Sequence, residues 1–436
     1  MAQKVNPFRG VRYNKKAVGN DFTSVLAPPY DVISPEYQDE LYKRNDKNVV
    51  RLILEKKYDT DTDDNNRYTR SAKTLKEWMG NGTLQQDEKP ALYLYAQDYE
   101  IDGEKRRRVG FICRRLIEQL GTSIHPHERT LSGPKVDRLN LTRTCQMNFS
   151  QIFGLYSDPD LYLDSMWEEI MKTEPELSET DDDGVGHHMW IVTDADVISK
   201  VQAFLEEKPV VIADGHHRYE TALNYRNERR AKDGETCDAE YDFVMMYLSN
   251  TNGQGFTVLP THRVIIEMAD MTNDEILKRL EESFNITEHP FTATTEKEFA
   301  VKLAETGKTT TALGLYLGDD KIYLLAFKDG AKLPGSENDL EALRRLDVTI
   351  LQDLIFEDYL GVKREDVASK KAVKFMIDAM EVKKMVDDKA ARAVFLMNST
   401  NVDQIIDVAT NGGVMPQKST YFYPKLISGF VFNPLA

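Results

Sequence analysis

Hydrophobic positions along the chain follow two spacings, one typical of strands and one typical of helices. Short apolar runs such as NVVRLIL, HMWIVTD, PVVIA and DFVMMYLSN predict buried strands. Segments such as NRYTRSAKTLKEWMG and TNDEILKRLEESF place apolar residues three or four positions apart, which predicts amphipathic helices. Since the two kinds of segment alternate along most of the chain, the pattern indicates an α/β (α+β) fold.

Turn and capping residues mark the bounds of several elements. Ser34 followed by Pro35 is typical of a helix N-cap with proline at the first helical position. Asp102 and Gly103 lie between two strand-like segments, which predicts a β-hairpin. The acidic stretch EPELSETDDDGVG predicts a linker, and IHPHERTLSGPKVDR, with its prolines and glycine, predicts a loop.

The length of the chain predicts more than one domain. At 436 residues it exceeds the roughly 100–200 residues of a typical domain. We predict an N-terminal α/β region over 1–118, a central core over 119–268 and a C-terminal α/β region over 269–436.

Composition narrows the classes of function. The net charge of −16 disfavours nucleic acid as a partner, because an acidic surface repels phosphates. Cys113, Cys145 and Cys237 are scattered, which argues against a disulfide framework or a zinc ribbon. No apolar run is long enough for a membrane span, and the first residues do not form a secretory signal. We therefore predict a cytoplasmic protein without a membrane partner. A homo-oligomer is compatible with the sequence.

The segment ADGHHRYETAL carries the strongest candidate chemistry. Asp214 and Gly215 follow the apolar run PVVIA, and a helical pattern begins near His217. Glycine permits a sharp turn, and a helix N-terminus together with Arg218 favours an anion such as phosphate. His216 and His217 fit a phosphate site as hydrogen-bond donors. His216 and Glu220, four residues apart, also fit a metal site, and Asp214 also fits a helix cap.

Two further polar segments are candidates. In PHERTLSGPK, Glu128 has the chemistry of a general base, and Thr130 and Lys135 could contact phosphates. In MPQKSTYFYPK, Lys418, Ser419 and Lys425 lie beside aromatic residues that suit an anionic, ring-bearing ligand. The chain has neither GxxxxGK[ST] nor GxGxxG, which disfavours P-loop enzymes, protein kinases and Rossmann dehydrogenases.

Five ordered segments resemble one bacterial and archaeal family, a domain of unknown function described as ParB-like. They are APPYDVISPEY, PHERT with the following GPKVDRLNL, ADGHHRYETAL, FTVLPTHRVI and MPQKSTYFYPK. The central part also resembles the free serine kinases of the ParB/sulfiredoxin fold, which have a DGHHR turn and an upstream loop bearing a glutamate. This chain departs from those kinases in its separate N-terminal region, its long C-terminal region and the long gap between Glu128 and Asp214.

The resemblance implies a phosphotransferase that uses ATP or ADP with Mg²⁺ to convert free L-serine to O-phospho-L-serine. It implies that Glu128 is the catalytic base and that Asp214 to Arg218 handle the phosphates, with Asp214 as the Mg²⁺ ligand. The contact to the serine carboxylate is not matched by any motif. Arg138, Arg143 and Lys418 are the candidates for it.

Three alternatives remain at this stage. One is a ParB-like nucleotide-binding regulator that partitions DNA. Another is a metal-dependent hydrolase centred on His216 and His217. The third is a kinase of the same fold that acts on another small hydroxyl compound.

Overall fold

The structure is a computed structural model that describes residues 3–19, 21–130, 132–235, 238–253, 255–336 and 339–436. Cys237 lies outside the described residues. The chain divides into two compact units. Unit one comprises residues 1–126, 130–256 and 424–436, and unit two comprises residues 127–129 and 257–423.

Unit one is built from thirteen strands, eight α-helices and three short 3-10 helices among the described residues. The strands are β1 Val5–Asn6, β2 Val11–Tyr13, β3 Leu84–Gln86, β4 Leu92–Ile101, β5 Glu104–Leu116, β6 Ile124–His125, β7 Met147–Asn148, β8 Ile152–Tyr156, β9 Leu177–Thr180, β10 Gly186–Val192, β11 Val210–Asp214, β12 Phe243–Asn250 and β21 Asn433–Pro434. The α-helices are α1 Lys15–Val18, α2 Pro35–Arg44, α3 Val50–Ile53, α4 Arg67–Gly80, α5 Ser132–Cys145, α6 Tyr162–Met171, α7 Ala195–Leu205 and α8 His216–Asp233. The 3-10 helices are Thr23–Val25, Tyr30–Val32 and Glu240–Asp242.

A nine-stranded mixed sheet forms the centre of unit one. Its order is β6, β11, β8, β12, β5, β4, β10 and β9, and β1 also pairs with β5. All eight residues of β12 are buried, as expected for a strand flanked by β8 and β5 and covered on both faces. The predicted hairpin is confirmed: Asp102 and Gly103 both have positive φ between β4 and β5, as a two-residue hairpin turn requires.

Unit two contains a six-stranded sheet in the order β15, β17, β16, β19, β14 and β18, and a separate pair of β13 and β20. Its strands are β13 Thr257–Leu259, β14 His262–Ile265, β15 Phe284–Pro290, β16 Ala312–Tyr316, β17 Lys321–Phe327, β18 Val373–Met376, β19 Ala393–Met397 and β20 Tyr421–Tyr423. Its helices are α9 Asn273–Leu280, α10 Glu296–Gly307, α11 Glu341–Arg344, α12 Asp347–Thr349, a π-helix over Ile350–Tyr359, α13 Arg364–Ala368, α14 Ala379–Asp387 and α15 Val402–Thr410.

The α/β fold class is confirmed, but two local predictions are wrong. NVVRLIL contains helix α3 rather than a strand, because the buried Asn48 side chain accepts the Val50 N–H at 2.9 Å and starts a helical turn. The acidic stretch is not a linker. It forms β9 and the turn into β10, where Asp181 accepts the N–H groups of Asp183 and Val185.

Two longer-range predictions also need correction. The predicted loop IHPHERTLSGPKVDR becomes helix α5 from Ser132 onward. The predicted boundary at residue 118 falls inside one sheet, since β4 and β5 pair with β10 and β12 from the predicted central region. In the described part of the chain, no helix is long and apolar enough to cross a bilayer.

A buried histidine in unit two gives a pH-dependent prediction. His262 is 5% exposed, and its Nδ1 accepts the Met397 N–H at 3.1 Å. Burial, together with nearby Arg263, lowers the pKa of His262 to about 4. An unfolded histidine takes up a proton near pH 6.5, so the free energy of unfolding should fall as the pH decreases from about 6.5 to about 4.

His262→Asn keeps an acceptor for the Met397 N–H but removes the titrating group. We expect the unfolding free energy of the variant, measured by urea titration, to depend less on pH than that of the natural protein between about 4 and 6.5. Parallel pH curves for the two proteins would contradict this assignment.

Candidate functional site

The predicted strand–turn–helix is present in unit one. Strand β11 ends at Asp214, Gly215 has φ 93° and ψ 27°, and helix α8 begins at His216. This left-handed conformation strains any residue that carries a Cβ atom. A Cβ atom on Gly215 would also lie 2.9 Å from the Arg218 Nε. Glycine is therefore required here both for the turn and for the close approach of Arg218.

A register shift precedes the turn. Ile212 pairs with Gly154 of β8, whereas Asp214 pairs with the adjacent Phe153, so one residue of β11 is extra. Such bulges bend a strand and redirect the side chain that follows, and they are common beside functional sites. The bulge and Gly215 together set the direction of the Asp214 side chain.

Asp214 is held between two cations. One carboxylate oxygen lies 2.6 Å from the Arg218 Nη2, and the other lies 3.2 Å from the Lys425 Nζ. Arg218 also donates to the Gln151 carbonyl. The side chains of Asp214, Arg218 and Lys425 are 26%, 14% and 18% exposed, so this cluster is partly desolvated and carries one net positive charge.

The start of helix α8 adds to the positive field of this cluster. Gly215 holds the N-cap position and has no side chain with which to cap the helix, and the predicted cap by Asp214 stays a prediction. The N–H groups of the first helical turn have no partner within the helix, and a helix N-terminus attracts anions. His216 is buried and His217 is partly exposed at this end. The cationic pair and the helix start thus make the turn suited to an anionic group.

Helix α8 is anchored to the sheet by Tyr219. Its ring is fully buried in the core of unit one, and its hydroxyl donates to the Glu118 carbonyl at 2.8 Å. The same hydroxyl accepts the Glu118 N–H at 2.9 Å. Burial raises the pKa of Tyr219 to about 12. This anchoring keeps the first turn of α8 in place against β11.

Thr130 and Lys135 meet the same helix through a carboxylate. The Thr130 hydroxyl donates to one oxygen of Glu220 and the Lys135 ammonium to the other, each at 2.7 Å. These contacts join α5 to α8. Thr130 and Lys135 both lie in unit one, as the turn does, and both donate hydrogen bonds to Glu220.

Arg138 and Arg143 lie on α5 in different surroundings. Arg138 is 8% exposed, donates to the Ile53 carbonyl at 2.7 Å, and has its guanidinium 4.0 Å from the centre of the Tyr30 ring. Arg143 is exposed and pairs with Glu228. The positions favour a packing role for Arg138 and a surface ion pair for Arg143, while their predicted role in substrate binding stays a prediction.

The space beside Arg218 in unit one is small. Tyr30, Arg138, Arg218 and Thr221 line a cavity of about 50 Å³, which has room for water rather than for a nucleotide.

Glu128, Lys418 and Ser419 belong to unit two. A Glu128 carboxylate oxygen accepts the Lys418 N–H at 3.0 Å, and the Lys418 carbonyl accepts from buried Arg263 at 2.9 Å. Ser419 is buried, and its hydroxyl donates to the Pro416 carbonyl at 2.5 Å. The structure therefore brings together Glu128 and the predicted segment around Lys418, with the main chain of Lys418 as the contact.

A metal cluster is not formed by the described residues. They contain no group of three or more histidine, cysteine, aspartate or glutamate side chains arranged to hold a metal ion. Glu220, which the metal interpretation pairs with His216, is held by Thr130 and Lys135. A second pair of adjacent histidines, His187 and His188, is structural in part, since His187 lies between Asp181 at 2.9 Å and the Tyr95 hydroxyl at 2.7 Å.

The contact between Lys425 and Asp214 was not predicted from the sequence. Lys425 lies far from Asp214 along the chain, and only pairing within unit one brings its ammonium to that carboxylate. The signal in the sequence is a lysine beside aromatic residues in a Pro-rich tail, which does not identify a partner.

The sheet and the turn define an α/β protein with a cationic strand–turn–helix motif. By sequence the chain belongs to the DUF1015 family, described as a protein of unknown function, and the match covers residues 5–349. Among curated proteins, none matches this sequence. The predicted ParB-like relationship stays a prediction.

Several solved structures resemble this chain weakly. A conserved hypothetical protein from Pyrococcus furiosus has 13% identity over 74% of this chain and 94% of its own, with a TM-score of 0.35. A free serine kinase in complex with AMP has 11% identity over 72% of this chain and 86% of its own, also with a TM-score of 0.35. SbnI with a C-terminal truncation, from Staphylococcus aureus, has 9% identity over 72% and 85%, with a TM-score of 0.34. Because a TM-score below 0.5 does not establish a common fold, the α/β class of this chain rests on its own sheets.

Replacing the turn glycine tests how the site is built. We expect Gly215→Ala to lower the free energy of unfolding by about 1–2 kcal/mol, because alanine is strained at positive φ. It should also displace Arg218 and weaken the binding of inorganic pyrophosphate, as measured by calorimetry.

Gly184→Ala is the matched control, because Gly184 also has positive φ but an added Cβ atom would meet nothing within 4 Å. This control should lose stability without losing affinity for pyrophosphate. Equal pyrophosphate affinity in Gly215→Ala and the natural protein would show that the turn does not bind phosphate.

Proposed function

We propose that this protein is a nucleotide-dependent kinase for a small hydroxyl compound, with free L-serine as the first candidate acceptor and ATP or ADP as the donor. The observation that carries the proposal is the turn at Gly215. There the N-terminus of helix α8, Arg218 and Lys425 lie around one carboxylate. Phosphoryl transfer depends mainly on positioning and on neutralising the charge of the phosphates, and this cluster supplies both.

Each cation of the turn has a distinct role in the proposal. Arg218 has a planar guanidinium that can bind two phosphate oxygens, and its position is fixed by Asp214 and the Gln151 carbonyl. Lys425 supplies a point charge. His216 and His217, at the first turn of α8, donate hydrogen bonds to phosphate oxygens in this proposal.

Asp214 fits a nucleotide-borne Mg²⁺ as a single carboxylate ligand. Magnesium sites in kinases commonly combine one or two carboxylates with phosphate oxygens and water. When bound, the ion would neutralise charge on the transferred phosphoryl group. Arg218 and Lys425 orient the Asp214 carboxylate.

Glu128 is the proposed general base. It accepts the proton of the acceptor hydroxyl while the hydroxyl oxygen bonds to the terminal phosphorus and the bond from that phosphorus to the leaving nucleotide breaks. The Lys418 N–H fixes one oxygen of the Glu128 carboxylate. Burial lowers the pKa of Arg263 to about 10, and the negative charge of nearby Glu128 partly opposes that shift.

The first test is product formation. Incubation of the protein with MgCl₂, L-serine and either ATP or ADP should yield O-phosphoserine, detected by mass spectrometry. Glu128→Gln should lower the rate by about 10²–10⁴-fold, because general-base catalysis contributes an effect of that size. Asp214→Asn should also abolish most activity, since the turn loses the carboxylate that orients both cations.

Two matched variants control for charge and folding. Glu288→Gln neutralises an exposed glutamate of unit two, and Asp233→Asn neutralises an exposed aspartate at the end of α8. Both should keep full activity, and circular dichroism should give the same fold for all four variants. Full activity of Glu128→Gln would remove Glu128 as the base, and the absence of phosphoserine with both donors would exclude serine as the acceptor.

A further inference from the structure

Unit two contains a separate cavity of about 330 Å³. Its volume is within the range of small-molecule sites. Its aliphatic wall includes Leu343, Val367 and Val414, and its polar lining includes Thr349, Gln352 and Arg129. None of these residues was singled out by sequence reasoning, because each reads as an ordinary member of a helix or loop.

Two residues of the lining each have a buried polar atom without a partner. Thr349 is 6% exposed, and its Oγ1 makes no hydrogen bond to the described residues. The buried Nε2 of Gln352 likewise has no hydrogen-bond partner among them. A buried polar group without a partner costs about 1–3 kcal/mol, so a ligand that these two side chains turn to meet would remove that cost.

The π-helix over Ile350–Tyr359 places part of this lining. Gln352 and Asp353 lie in its first turn and both line the cavity. The π-helical conformation is rare and occurs frequently at functional sites. Thr349 ends the preceding helix α12, so both residues reach the cavity from the same stretch of chain.

The charges of the lining favour an anionic end on the ligand. Asp353 is already paired with Arg364 at 2.6 Å, and Arg364 also contacts Glu357 at 2.7 Å. Arg129 is exposed and makes no ion pair within 4 Å among the described residues, but it lies close enough to Asp353 to oppose the rise that burial causes in the pKa of that carboxyl. The cavity therefore combines an aliphatic wall, two residues with unpartnered polar atoms and an exposed arginine.

We propose that this cavity binds the adenosine part of an adenine nucleotide, with Arg129 near its phosphate end. An aliphatic wall suits the flat, weakly polar faces of a purine. A glutamine amide matches the adjacent donor and acceptor of adenine. Free serine lacks any apolar part to match Leu343, Val367 and Val414. The inference rests on the proposed function only in naming this nucleotide as the phosphoryl donor.

The position of the cavity within unit two supports that choice. Arg129 follows Glu128 directly in the chain. Gln417, which also lines the cavity, precedes Lys418, whose N–H binds the Glu128 carboxylate. The cavity thus borders the proposed base within unit two.

Binding without catalysis tests the inference. Calorimetric titration of the full chain with adenosine, AMP and guanosine should give measurable affinity for the two adenine compounds and weaker affinity for guanosine. Thr349→Val and Gln352→Leu should each weaken adenosine binding by about 3- to 10-fold, the loss expected for one hydrogen bond. Binding of inorganic tripolyphosphate should not change in either variant.

Thr349→Ser keeps the hydroxyl and should retain adenosine affinity. Thr306→Val is the control for loss of a hydroxyl elsewhere in unit two, and it should leave adenosine affinity unchanged because Thr306, in α10, does not line the cavity. Leu343→Trp fills the cavity from a partly exposed position and should abolish adenosine binding, which keeps the test decisive if Thr349→Val does not fold. Absence of adenosine binding, or equal binding by the natural protein and Leu343→Trp, would overturn the inference. Adenosine binding without phosphoserine formation would instead reject only the proposed acceptor.

Discussion

The ion pairs of Asp214 are the constraint on which the candidate site in unit one depends. A carboxylate at the end of a buried strand is costly unless cations compensate it, and here Arg218 and Lys425 do so from opposite oxygens. Gly215 permits Arg218 to approach, and the bulge in β11 turns the carboxylate toward it. The same carboxylate also binds Lys425, which lies in the final segment of the chain, residues 424–436 of unit one. A single charge at this turn therefore links strand, helix and C-terminal segment.

Most polar side chains near the turn already have partners in the protein. Glu220 occupies Thr130 and Lys135, Asp137 and the Ile53 carbonyl occupy Arg138, and Glu228 occupies Arg143. The contacts of Lys135 and Arg143 stabilise packing between α5 and α8, and the contact of Arg138 with the Ile53 carbonyl joins α5 to α3. The cavity of unit two is different, because Thr349 and Gln352 retain unpartnered polar atoms. That contrast separates groups that hold the fold from the groups on which the proposed adenosine site depends.

Local patterns in the sequence predicted many elements correctly. The helices at Arg67–Gly80 and Asn273–Leu280 and the strands at Val210–Asp214 and Phe243–Asn250 lie where the spacing of apolar residues placed them. Two of the wrong predictions fall where a polar side chain redirected the backbone. Buried Asn48 turned an apolar run into a helix, and Asp181 closed an acidic stretch into a hairpin. Apolar spacing carries no information about such bonds.

The sequence by itself determined the α/β class, the strand–turn–helix at Gly215 and the residue types from which an anion site could be built. These depend on local backbone preferences and on side-chain chemistry, both of which act over a few residues. Only the tertiary structure decided that Lys425 pairs with Asp214, that Thr130 and Lys135 hold Glu220, and that Glu128 and Thr349 belong to unit two. Contacts between residues far apart in the chain arise from strand pairing and core packing, and a single sequence does not specify which polar groups those contacts will join.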